Sequence, residues 1–281
     1  MWVPDYLHTP ELWLDLLLAQ VLVTVNAVFL AILLYQAKAS RSFTGLPIPL
    51  MILAVAVLPQ MRYYWLLQLW VFVILLFLYL MRDASDSQPP NGYVCFISLA
   101  LCVLALWTPD TLWCIVYLWF VMLLSSAFSL RTIMASAIAV GVFAFYYGIA
   151  YYLGWVGEWS FDALLNRSWF AQNIPAHEVV TLAVVLIETF AIAFAAFRRS
   201  SYGFVSTRML LYHSVMLYLV ATPLIVYDHP EGGVMCAMMA VATPAITSIY
   251  LLQKESESRG ITFLVYVLAA VGLYAYAAAV G

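Results

Sequence analysis

Charge is the scarcest property of this chain. Only 9% of its 281 residues are Asp, Glu, Lys or Arg, against roughly 25% in soluble domains. That shortage excludes an ordinary water-soluble globule, and it excludes a nucleic-acid binder, which needs a basic face. Cysteine is sparse as well. Cys95, Cys102, Cys114 and Cys236 show neither CxxC nor Cys/His spacing, so zinc clusters and a disulfide framework are not expected, and the four read as small buried hydrophobes. Nucleophile elbows, phosphate loops and metal-binding helix motifs are missing too. No cofactor, metal or catalytic residue is therefore assigned. No convincing internal repeat is found, since the two "ATP" triplets, at Ala221 to Pro223 and Ala242 to Pro244, fall at different depths of their runs. The opening "MWVPDYLHTPELW" lacks the basic region and cleavage site of a secretory signal, so the first apolar run is expected to stay as a span.

What the chain has in abundance is apolar surface: 66% of its residues are hydrophobic. A helix crossing a bilayer needs about 20 apolar residues. Ten runs qualify as candidates: 12–35, 46–60, 63–81, 93–107, 111–130, 133–154, 178–197, 208–227, 233–252 and 261–280. The expected fold is all-α, a polytopic transmembrane helical bundle forming one membrane domain over residues 1–281. Runs 46–60 and 93–107 are short and could be re-entrant, because about 15 residues reach only about 23 Å. Lys and Arg remain on the cytoplasmic side of short loops. With both termini outside, Lys38, Arg41, Arg82, Arg131, Arg198, Arg199, Arg208, Lys254 and Arg259 lie inside, and only Arg62 and Arg167 lie outside. The outer face is then acidic and belted by tryptophans such as Trp107, Trp113, Trp155 and Trp159, as headgroup-level aromatics should be. Segment 156–174, with Ser160 as its N-cap and Phe161, Leu164, Leu165 and Trp169 at helical spacing, is expected to lie flat on the outer surface as an amphipathic helix.

Several stretches carry a resemblance: "VNAVFLAILLYQAKASRS", "CFISLALCVLALWTPDTLWCIVYLWFVMLLSSAFSLRTIMASAIAVGVFAFYYG", "VSTRMLLY" and "ATPAITSIYLL". Together they resemble a family of uncharacterised multi-span inner-membrane proteins of Bacteroidetes-type bacteria. The resemblance covers most of the chain and implies a compartment, the bacterial inner (cytoplasmic) membrane. It supplies no activity and no catalytic residues.

The most unusual single residue is Glu188, alone in the uncharged run from Val179 to Phe197. A carboxylate at the bilayer midplane costs about 2.5 to 3.5 kcal/mol on insertion scales, so it must face protein or water. It could contact a substrate or relay a proton or cation, or it could be packing glue between helices. The first run carries a polar series, Asp15, Gln20, Thr24 and Asn26, which could line a wet cavity or bond to neighbouring helices. Pro244 falls in the centre of the ninth run beside Thr243, Thr247 and Ser248. A proline there deletes a helix bond, and freed carbonyls can coordinate ions. Glu188, Asp15, Asn26, Pro244, Thr243 and Thr247 are accordingly the candidate substrate or proton site. The inner cluster of Arg198, Arg199 and Arg208 could grip anionic lipid headgroups, although the orientation rule explains it equally well.

Three functional classes follow. The leading expectation is a small-solute or ion/proton-linked transporter or permease, with membrane lipids as its surroundings. The second is a non-catalytic membrane subunit or scaffold of a cell-envelope complex, holding a protein partner or a second copy of itself. The third is an enzyme acting on a lipid or lipid-linked glycan. It is the weakest, because Asp110, Glu158, Asp162, Asp228 and His229 are dispersed over short outer loops, whereas acid/base chemistry needs a matched pair in one pocket.

Overall fold

The computed structural model describes residues 10–40, 44–57, 65–81, 91–106, 115, 118–119, 122, 129–154, 176–200, 204–228, 233–253 and 256–280. Among these the secondary structure is entirely helical: α1 (Pro10–Gln36), α2 (Pro47–Val57), α3 (Trp65–Met81), α4 (Asn91–Leu104), α5 (Leu130–Tyr152), α6 (Ala176–Ser200), α7 (Val205–Asp228), α8 (Gly233–Leu252) and α9 (Ser256–Val280). Such apolar runs become helices because each backbone N–H and C=O is then bonded within its own segment. The nine helices coincide with nine of the ten apolar runs. Most of the remaining run, 111–130, lies outside the described residues, as does the expected amphipathic segment 156–174.

Among the described residues two helices, Leu14–Gln36 and Leu130–Tyr152, are long and apolar enough to cross a membrane, with mean hydropathies of 2.5 and 1.9. Five further apolar stretches, among them Pro47–Val57 and Ala237–Leu252, fall below that length among the described residues. At eleven residues, α2 reaches about 16 Å, which matches its reading as a short run.

The chain forms two compact units, one combining Met1–Leu75 with Gln172–Gly281, the other Leu76–Ala171. In the first unit α8 is the hub, packing against α1, α2, α6, α7 and α9. Its residues from Ala237 to Ile249 are all buried. Helices α1 and α3 run side by side in the same direction: the Asn26 amide donates to the Gln68 carbonyl at 2.9 Å and to its side-chain oxygen at 3.3 Å, and one turn on Phe29 meets Phe72 with ring centroids 5.5 Å apart. The end of α1 is held at the start of α7. Lys38 takes a left-handed conformation (φ 57°) while Ala39 N–H bonds Leu34 C=O and Lys38 N–H bonds Tyr35 C=O, a Schellman closure with lysine where glycine is usual. The Ser206 and Thr207 hydroxyls then donate to Ala37 C=O at 2.9 and 2.6 Å, and the Lys38 ammonium lies 5.4 Å over the Phe204 ring.

In the second unit α4 packs on α5 through hydroxyls. Ser98 and Ser136 are 2.7 Å apart, and the Trp119 indole N–H donates to Ser136 at 2.8 Å. Helix α5 starts three residues before the run expected at 133 because Ser129 and Thr132 form a capping box, which satisfies first-turn N–H groups that would otherwise lack partners.

Large apolar side chains are exposed in number, and the mainly aliphatic core also holds polar groups. Asn26, Gln68, Ser98, Ser136, Thr189, His213, Ser214, Thr243 and Ser248 are buried, while Leu14, Phe145, Tyr146, Ile187, Phe190, Phe194 and Leu268 are exposed. Helix α6 illustrates it: Thr189, Ala193 and Ala196 face inward, and Ile187, Phe190 and Phe194, each between 59% and 71% exposed, face outward.

Candidate functional site

Glu188 is the thirteenth of the 25 residues of α6, the midpoint of a helix about 37 Å long. Val185, Glu188 and Thr189 share one face by their spacing of three and four, and that face borders a small crevice of about 30 Å³. The other walls come from Leu53, Ala54 and Val57 of α2, Met239 and Thr243 of α8, and Tyr266 and Ala270 of α9. Four helices therefore converge on one carboxylate. Those of α8 and α9 contribute from near their own midpoints.

The crevice is mostly apolar with a polar strip. Glu188 is half-buried. No basic side chain lines the crevice among the described residues. Thr189 and Thr243 are buried, and the Thr189 hydroxyl donates to the Thr243 hydroxyl in a long hydrogen bond of 3.4 Å. The Tyr266 phenol is within electrostatic reach of the Glu188 carboxylate and beside the Thr247 hydroxyl. That hydroxyl is buried. Helix α8 continues through Pro244, which brings no N–H to the carbonyl of Ala240 one turn earlier.

Of the residues singled out in the sequence, Glu188 and Thr243 thus meet in one crevice, with Thr247 next to its Tyr266 wall and Pro244 adjacent in the chain to Thr243. The first-run series is elsewhere. Gln20 and Thr24 are exposed, and the Thr24 hydroxyl donates back to the Gln20 carbonyl at 2.9 Å. Asp15 is half-buried near the start of α1, and Asn26 is turned to Gln68 of α3. None of the four borders the crevice. Arg198 and Arg208 are exposed, and the Arg199 side chain lies outside the described residues. Among the described residues no group of three or more His, Cys, Asp or Glu could hold a metal ion.

Sequence reasoning did not single out Thr189, Tyr266 or Gln68. Gln68 had a readable signal, a lone amide in "WLLQLWVFV", the same kind of signal that marked Glu188. Tyr266 had none, being one of 19 tyrosines in a chain rich in aromatics. Comparison with protein-family models, with curated proteins and with solved structures finds no match to this chain.

Proposed function

We propose that the chain is a multi-pass protein of a bacterial inner membrane, and that it carries a small solute or ion across the bilayer by way of the Glu188 crevice. The ten apolar runs cross or enter the membrane in this reading, with both termini outside. The compartment follows from the resemblance quoted above. Several features support the crossing. Many large apolar side chains are exposed, while hydroxyls and amides are buried within a mainly aliphatic core, as suits a hydrocarbon solvent that cannot bond polar groups. The end of α1 and the start of α7 lie together, and the charge rule assigns both to the cytoplasmic side. Exposed Arg198 and Arg208 would then meet anionic lipid headgroups.

One observation carries the transport reading: a carboxylate at the midpoint of its helix borders an open crevice that hydroxyls from two other helices also line. A midplane acid serving only as packing glue would be closed off by its partners, whereas this one borders empty space. Intramembrane acids facing a cavity mark ion and substrate paths.

Uptake into proteoliposomes tests it. Labelled amino acids, sugars and carboxylates are offered under imposed inward proton or sodium gradients. Gradient-driven uptake of at least one class above protein-free liposomes is expected, together with its loss in Glu188→Gln at unchanged elution volume. Equal uptake by Glu188→Gln and the parent, or no uptake of any class, overturns the reading.

A further inference from the structure

The size of the crevice limits what it can hold. At about 30 Å³ it has room for about two waters, each needing about 10 to 15 Å³, whereas pockets for drug-sized solutes occupy roughly 300 Å³ or more. As it stands the crevice admits water beside Glu188 and has no space for an amino acid or a sugar. A metal ion meets a second limit, the number of oxygens, because hard cations gather about six oxygen ligands. Glu188, Thr189, Thr243 and Tyr266 are the lining residues with oxygen in their side chains, and the last three are engaged with other groups: Thr189 donates to Thr243, and the Tyr266 phenol is paired with the Thr247 hydroxyl. One carboxylate and about two waters are left, too few for a cation shell and enough for a proton.

Charge points to the same ligand. No basic side chain lines the crevice among the described residues, and an ionised carboxyl away from bulk water is costly without a positive partner. A bound proton removes the charge outright and asks for no further ligands. Few titratable groups face this carboxyl from the helices packed on α6. Among the described residues, α2 and α8 bring none to the crevice, α9 brings Tyr266, which is within electrostatic reach, and Tyr218 of α7 donates to the Leu186 carbonyl. Phenols ionise at about pH 10 in water, so a titration in the acid to neutral range belongs to Glu188.

We propose that the ligand of the crevice is a proton, which water entering at the mouth delivers to the Glu188 carboxylate and later takes back. An O–H bond forms on the carboxyl as one breaks in hydronium, leaving water, and release reverses the step. The Thr189–Thr243 hydrogen bond joins α6 to α8 beside the carboxyl and so holds the wall against which the water sits. The proposal rests on the transport reading for its purpose, and deepens it by making the proton the coupling ion, with any co-transported solute bound outside this crevice. Proton binding itself stands or falls separately.

The test is infrared difference spectroscopy of the full chain in detergent, titrated from about pH 9 to about pH 4. Subtracting the Glu188→Gln spectrum from that of the parent cancels every other carboxyl. The difference should contain a carboxyl C=O band that grows as the pH falls, is the same in sodium and choline chloride, and shifts on transfer to heavy water because water reaches the group. Ala54→Val adds methyl groups at the wall and leaves Glu188 in place; it should slow the heavy-water shift about tenfold, since a filled crevice holds no water. Should Glu188→Gln fail to fold, Ala54→Val against the parent in heavy water still decides the matter. A missing band, a band constant with pH, a band set by sodium, or exchange indifferent to Ala54→Val overturns the proposal. Sodium-driven solute uptake that ignores a proton gradient, with no carboxyl band, removes the proton site and keeps transport. The band with its exchange, but without uptake of any solute, keeps the proton site and removes transport.

Discussion

Asn26 shows how much a single side chain in this chain depends on its surroundings. In water an exposed asparagine costs nothing. Fully buried between α1 and α3, its amide makes two contacts with Gln68, and within hydrocarbon no solvent can replace them. Interhelical hydrogen bonds of this kind average about 0.6 kcal/mol, with a ceiling near 1.7. Asn26→Val and Gln68→Leu are therefore each expected to lower stability by about 0.5 to 1.5 kcal/mol. The double variant should fall short of their sum by less than about 0.6 kcal/mol, because Gln68→Leu removes the 3.3 Å side-chain contact and keeps the 2.9 Å bond to the main-chain carbonyl. Unfolding in detergent measures all three, and strictly additive losses would show that the pair does not act as one unit. This residue also marks what could be read in advance. A lone polar group in an apolar run announces that it must find a partner, which is how Glu188 and Asn26 stood out. Which partner it finds depends on register between helices distant in sequence, so Gln68 and Tyr266 emerged only from the structure. The polar series Asp15, Gln20, Thr24 and Asn26 was legible as a pattern, but it divides: two members are exposed and Asn26 is buried. Steps of five and four residues overshoot one helical face, and Thr24 is content with its own backbone.

At the scale of elements, the helices were the most legible feature, because the length of an apolar run fixes both the existence and the approximate ends of a helix in the absence of competing turn residues. Ends were less legible where capping decided them. The early start of α5 follows from Ser129 and Thr132, two hydroxyl residues in a region that also reads as apolar. The stop of α1 gave no glycine signal, since Lys38 occupies the left-handed position. That position costs a side-chain-bearing residue about 1 to 2 kcal/mol, and two effects offset it: the ammonium above Phe204, at about 0.5 to 1 kcal/mol, and a positive charge at a helix C-terminus, at about 0.3 to 1 kcal/mol. The order of stabilities follows. Lys38→Gly loses the two interactions but also the strain and should unfold within about 0.5 kcal/mol of the parent, whereas Lys38→Ala keeps the strain and loses the interactions, at a cost of about 1 to 2 kcal/mol. If alanine and glycine at position 38 prove equally stable, the left-handed closure of α1 is not what holds this end.

At the scale of the molecule, two features are to be explained: among the described residues, exposed large apolar side chains beside a mainly aliphatic core that also holds hydroxyls and amides, and, in the sequence, nine of the eleven basic residues confined to alternate connectors. Hydrocarbon accounts for the first because it solvates leucine and phenylalanine and cannot solvate serine. In the proposed multi-pass arrangement, retention of Lys and Arg on the cytoplasmic side accounts for the second. Both accounts make a joint demand on α7, whose 24 residues extend about 36 Å, more than the roughly 30 Å of a hydrocarbon core. Its start is bound to the end of α1, so Lys38 and Phe204 must be reached from one side and Asp228 from the other. In a chain whose four cysteines are replaced by alanine, single cysteines at 38, 204 and 228 permit the test with an impermeant thiol reagent on intact cells and on inverted vesicles. Positions 38 and 204 should react only in inverted vesicles, and position 228 only in intact cells. Labelling of 38 and 204 from opposite sides would contradict the contact between α1 and α7 itself. Joint labelling of both from outside would leave the fold intact and reverse its orientation, placing nine of the eleven basic residues on the surface that the charge rule forbids.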